Sequence, residues 1–284
     1  MQQARKVPPI ATPAITTRRR LSLLAIMACL ASLPSPRALP QTQPVQAAQP
    51  TRLTFDVAVI RPGEDKGGGH LMPIPGGNGY SALNFPVRQM IALMYWIPLQ
   101  QVTGGPSWID TTPYDIEAKA DHPYSLDDLH TMFQDLLADR FHLKFHIEQR
   151  EGPVYSLTVD KSGLKMNPNQ APQDYKVPMI STGFGVYAAN RVSMRYLTWF
   201  LSQQLRSEGR PVIDRTGLTG NYDFTLSFLP ELPPNTSPEN LAPELRDRPS
   251  LSDAVREELG LTLQRDKGPV PYIVIDQIDR PSEN

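Results

Sequence analysis

At 284 residues with a single cysteine, the chain is long enough to bury one large core or two smaller ones, and no intrachain disulfide can brace either. The 28 Lys+Arg nearly balance the 29 Asp+Glu, but six basic residues (Arg5, Lys6, Arg18, Arg19, Arg20 and Arg37) and no acidic ones lie in the first 38 positions, which leaves 22 against 29, a net of −7, on the rest. That sign excludes a protein that grips a phosphate backbone, and no nucleic-acid partner is expected.

Taken in order, residues 1–38 read as a signal peptide. Arg18, Arg19 and Arg20 precede the apolar run from Leu21 to Leu33, which is shorter than the ~20 residues that cross a bilayer and is ended by Pro34 and Pro36. Cleavage and export are therefore expected, to the periplasm or the medium, with membrane contact only through this segment. The paired arginines also permit twin-arginine export. Cys29 follows Ile26-Met27-Ala28 in a pattern that resembles a lipoprotein processing site, which makes it a lipidation candidate; the plainer reading is a small apolar residue in the signal core. Residues 39–52, rich in Pro, Gln and Ala, read as a flexible tether.

The fold is expected to start near Leu53, where Leu53, Phe55, Val57 and Val59 alternate with smaller or polar residues until Pro62 and Gly63. Gly76-Gly77-Asn78-Gly79 predicts a hairpin between His70–Ile74 and Tyr80–Leu83. Asn84 is placed to cap a helix through Val87, Met90, Ile91 and Met94, and Ser125 a second through Leu129, Phe133 and Leu137. The alternation at Tyr114, Ile116 and Ala118 predicts a strand between them. Two further strands, about 142–149 and 154–160, are expected on either side of a turn at Glu151-Gly152.

The same markers then return in the same order. Tyr114-Asp115, Ser125-Leu126-Asp127-Asp128 and Gly152-Pro153-Val154 are matched by Tyr222-Asp223, Ser250-Leu251-Ser252-Asp253 and Gly268-Pro269-Val270, and Asp160 by Asp276. Ser193 is expected to cap a helix through Leu197, Leu201 and Leu205. This pattern predicts an α+β protein of two similar lobes from an internal duplication, each with β-strands packed by two helices. The first lobe, with a separate N-terminal strand and hairpin, is expected over 53–180. The second is expected over 181–284, with a Pro-rich loop at 229–249.

Chemistry is sparse. There is no Gly-x-Ser-x-Gly elbow and no His-Glu-x-x-His, so no catalytic residue is assigned and no cofactor is expected. His142 and His146 lie in a strand pattern with Lys144 between them, which points to a solvated sheet face and not to a metal site. His70, His122 and His130 are expected at the surface. The repeated aspartates, Asp115 with Asp223 and Asp160 with Asp276, resemble paired acids of a glycan hydrolase but suit turn and strand-edge roles. Tyr95, Trp96 and Trp108 gather around the Gly104-Gly105-Pro106 turn and are the candidate ligand-binding residues, with a half-buried core role as the alternative.

Six blocks carry a family resemblance: Phe55 to Pro62, Gly104 to Trp108, Tyr114 to Ala118, Leu137 to Phe141, Asp214 to Gly220 and Arg280 to Asn284. In that order they resemble a large family of exported soil-bacterial proteins, known chiefly from acidobacteria and classed as a domain of unknown function. The resemblance implies an envelope location and supplies no catalytic residues. Some relatives are joined to membrane sensor-protease domains. The helix before Pro211-Val212-Ile213-Asp214, with the turns at Gly217 and Gly220, is distantly similar to the short periplasmic interaction domains of secretins and TonB-linked receptors. The expected function is a non-enzymatic envelope module that binds a protein, peptide or glycan through a groove or surface between the two lobes, with a cell-wall hydrolase using unassigned acids as the alternative.

Overall fold

The computed structural model describes residues 52–64, 67–232 and 241–281, all in one compact unit, Pro50–Asn284. The expected signal peptide, Cys29, the tether as far as Thr51 and residues 233–240 of the Pro-rich loop lie outside the described residues. The fold is α+β. Chain order in the first half is β1 (Val57–Pro62), β2 (His70–Pro73), β3 (Gly79–Pro86), α1 (Val87–Met94), β4 (Val102–Gly104), the one-turn α2 (Trp108–Thr111), β5 (Pro113–Lys119), α3 (Leu126–Arg140) and β6 (Lys144–Val159). The second half runs β7 (Asn167–Asn169), β8 (Met179–Gly183), β9 (Val186–Ser193), α4 (Met194–Gln204), β10 (Val212–Asp214), β11 (Asn221–Ser227), the short α5 (Pro243–Arg246), α6 (Leu251–Ala254) with a π turn to Leu259, and β12 (Leu261–Gln277). No described helix is long and apolar enough to cross a membrane.

The strands form three four-stranded sheets, ordered β1-β5-β3-β2, β7-β11-β9-β8 and β10-β6-β12-β4. The first two have one topology, and the third draws strands from both halves. The N-terminal strand and hairpin are not separate from the first lobe. Ile60 of β1 and Ala82 of β3 both face Ile116 of β5, and all three are buried in one core. A lone strand or hairpin would leave that face in water, so it joins the sheet.

The third sheet departs furthest from expectation. No turn forms at Glu151-Gly152; β6 runs through it as one strand, and β12 likewise runs through Gly268. The two pair antiparallel with Gly152 opposite Gly268, and the register is symmetric about that pair, with Phe145 opposite Ile275 and Val159 opposite Leu261. Neither glycine has the positive φ that a tight turn would demand. Proline is tolerated there because the ribbon has an open outer edge. The Tyr155 N–H donates outward to the Pro211 carbonyl at 2.9 Å, so two residues earlier the Pro153 nitrogen faces outward too, beyond the end of β10.

The ribbon carries each half into the other. Tyr155 and Leu157, on β6, belong to the core of Leu197, Leu201, Leu226 and Val255 in the second half. Ile273 and Ile275 of β12, with Ile278, belong to the core of Met90, Ile91, Phe133 and Leu137 in the first. The boundary expected at 180 falls inside β8, and β7 before it pairs with β11 of the second half.

Helix starts follow local chemistry. The hydroxyls of Ser125, Ser193 and Ser250 accept the N–H groups of Asp128, Tyr196 and Asp253, each at 3.2 Å. Asn84 does not cap α1; Pro86 holds the N-cap position without a side-chain bond. Asn84 instead sits in a β-bulge with φ 50°, where its N–H donates to Asp115 Oδ1 at 2.7 Å. Its counterpart Arg191 repeats the device, with φ 56° and its N–H 2.7 Å from Asp223 Oδ1.

Candidate functional site

The residues that invited a hydrolytic reading are occupied in the scaffold. Asp115 and Asp223 each hold a bulge, in different sheets. Asp160 accepts bonds from the Ser162 N–H and hydroxyl and from Thr262, and these hold its carboxyl well below the usual range. Asp276 faces His146 Nδ1 at 2.9 Å on the exposed part of the ribbon, and His142 lies 3.3 Å from Asp279. Among the described residues no group of three or more His, Cys, Asp or Glu side chains is arranged to hold a metal ion.

The family-like blocks are also structural. Arg88 donates to the carbonyls of Val102 and Gly104, each at 2.9 Å, and pairs with Asp110, which fixes the Gly104 to Trp108 turn. Asp214 accepts from the Thr216 N–H and hydroxyl, while Arg215 pairs with Asp266 at 2.9 Å. Arg280 lies over the Trp108 ring at 5.0 Å.

The candidate aromatics are separated. Trp108 packs edge-on against Tyr114, and Tyr95 against Phe145. Trp96 turns the other way, into the seam between the halves. It stacks on His130 with centroids 4.4 Å apart and meets the edges of Tyr196 and Trp199 from α4 at 4.9 and 5.0 Å. His130 is therefore not at the surface; it is 3% exposed, with Nε2 3.1 Å from the Tyr80 hydroxyl. Burial pushes its pKa down to about 3, opposed by the Met94 carbonyl and aided by the Arg195 charge. Its place on α3, next to Leu129 on the buried face, was the available signal.

A groove between the lobes was expected from the duplicated markers, and a broad concavity is found there. A groove of about 640 Å³ lies where the two halves meet, bounded by Met72 and Pro73 of β2, Ile180 of β8, Ala188 of β9 and the linking segment from Tyr175 to Pro178. Its volume is that of a ligand site. Met72 and Ile180 hold equal places in the two like sheets: each pairs with the residue three before the bulge, Ser81 or Ala188. They are 50% and 58% exposed. Both β2 and β8 are edge strands of their sheets.

The linking segment is tied to both halves. Leu126 donates its N–H to the Asp174 carbonyl at 2.9 Å, and Tyr175 packs so closely on Gly77 that a Cβ there would lie 2.6 Å from its ring. On the other side Arg191 pairs with the Asp174 carboxylate and donates to the Pro172 carbonyl, each at 2.6 Å. Burial works against ionisation of Asp174, but the Arg191 bond, the Lys176 N–H and both positive charges outweigh it and hold the carboxyl low. The groove is thus formed before anything enters it. At one end it meets a polar recess of about 50 Å³ lined by Trp96, Asp127, Asp174, Arg191 and Arg195, with Lys176, Pro178, Asn190 and Arg191 common to both spaces.

A family model described as protein of unknown function, DUF3738, matches residues 88–278. The chain belongs to that family. Among curated proteins and among solved structures, nothing matches. The matched span takes in Ile180, Ala188 and Lys176 on the groove and Trp96 in the seam, whereas Met72 and Pro73 precede it.

Proposed function

We propose that this protein is a non-enzymatic envelope module that binds an extended, apolar peptide segment in the groove between β2 and β8. The observation that carries the reading is a pre-formed apolar groove bordered by two sheet edges. An edge strand offers unpaired backbone N–H and C=O groups to an incoming chain, and the apolar side chains beside it give that chain something to bury. A glycan is less well served, because Trp96 and Trp108 point into different parts of the scaffold. A hydrolase is less well served, since Asp115, Asp223 and Asp160 accept backbone N–H bonds at separate places and Asp276 faces His146.

Envelope placement rests on the expected signal at 1–38. Mass analysis of native protein would show diacylglycerol on Cys29 or an N-terminus beyond Leu33, and an intact Met1 on cytoplasmic material would overturn the placement.

Binding is tested by fluorescence anisotropy of the full chain against labelled peptides with alternating apolar residues. Ile180→Asp and Met72→Asp, at half-exposed positions, are expected to weaken binding about tenfold or more, as burial of a charge against an apolar ligand demands. The unfolding midpoints should stay near that of the wild type. Binding that is the same in both variants would defeat the proposal.

A further inference from the structure

We infer that the polar recess at the end of the groove captures a free α-carboxylate, so that the groove takes the C-terminus of a protein or peptide with apolar last residues. The inference rests on the peptide-binding reading and adds direction and chemistry to it. Three cations line the recess, and among the described residues one of them is ion-paired: Arg191 is committed to Asp174 at 2.6 Å. Arg195 donates to the Tyr95 carbonyl at 3.0 Å and makes no ion pair among the described residues. Lys176, an exposed side chain common to recess and groove, makes none either.

With Asp127 and Asp174 as the only acids, the lining carries three positive and two negative charges. One unit of surplus charge suits a monoanion, and a doubly charged phosphate would be pressed against both carboxylates. Space points the same way. About 50 Å³ takes a few waters or a small anionic group, whereas the adjoining 640 Å³ is large enough for apolar side chains. An α-carboxylate directly joined to an apolar residue matches this juxtaposition.

The test is calorimetric titration of the full chain with pentapeptides ending in Val, Ile or Leu, each as free acid and as C-terminal amide, with decanoate as a third probe. The free acids are expected to bind about tenfold more tightly than the amides, the increment of a charge-assisted contact. In Lys176→Met the preference of acid over amide should shrink several-fold, and Lys176→Arg should restore it. Equal binding of acid and amide, both weakened by Ile180→Asp, would overturn the carboxylate inference and leave the groove reading standing. No binding of either form would overturn both, as would decanoate binding without any peptide binding.

Discussion

Trp96 occupies a backbone conformation that usually belongs to glycine. At φ 53° it follows the end of α1, its N–H bonded to the Leu93 carbonyl at 3.2 Å and the next N–H, of Ile97, to Ala92 at 2.9 Å, which is the Schellman pattern with tryptophan at the left-handed position. The cost of about 1–2 kcal/mol is offset by the ring's contacts with His130, Tyr196 and Trp199. His130 beneath it gives a pH prediction. Its pKa falls from 6.5 to about 3 on folding because burial excludes the charged form, so the unfolded chain takes up a proton that the folded one refuses. Stability from this group is complete above about pH 6.5 and is lost as pH falls towards 3, by up to ~1.4 kcal/mol per unit. Urea unfolding at pH 7 and pH 5 should therefore show a loss of about 2 kcal/mol in the wild type that is missing in His130→Gln. Equal losses in the two proteins would contradict it. A histidine beside apolar neighbours on a helix has two readings, and the sequence carries no mark of the Trp96 ring that covers this one.

At the scale of elements, the three serine-capped helix starts were legible, whereas the start of α1 and the continuity of the strands were not. Ser125, Ser193 and Ser250 act within three residues of themselves, so their roles need no knowledge of the rest of the chain. Gly152-Pro153 has the composition of a turn, but whether it turns depends on what lies beside it. Here that is Gly268, more than a hundred residues on. Two alanine substitutions separate the cases. A Cβ at Gly152 meets only Val270 Cγ2, at an ordinary 3.7 Å, so Gly152→Ala should leave stability unchanged or raise it by about 0.4–1 kcal/mol. At Gly104 φ is 76° and a Cβ would lie 2.9 Å from the Ile275 carbonyl oxygen, so Gly104→Ala should cost about 1–3 kcal/mol. Thermal unfolding ranks the pair, and the reverse order would be incompatible with a continuous β6.

At the scale of the molecule, the crossing of β6 and β12 makes the two halves one folding unit. A fragment of residues 53–180 keeps most of the first core but loses Ile273, Ile275 and Ile278, as well as the strand that pairs with β4. At about 1.5–3 kcal/mol for each buried isoleucine the loss is comparable to the whole stability of a typical domain, about 5–15 kcal/mol. That fragment should show no cooperative urea transition by circular dichroism, whereas the full chain does; a sharp transition in the fragment alone would refute the interdependence. By itself the sequence determined the α+β class, the serine-capped amphipathic helices, the recurrence of the same markers in the same order, and the absence of a Gly-x-Ser-x-Gly elbow and of a His-Glu-x-x-His helix. These are properties of neighbouring residues, carried by periodicities of 2 and 3.6 and by side chains that bond their own backbone. Only the tertiary structure decided that the ribbon joins the halves, that His130 lies under Trp96, and that Met72 and Ile180 meet at one groove. Periodicity tells which face of an element is buried and is silent on what buries it, because that partner is chosen by packing across the whole chain.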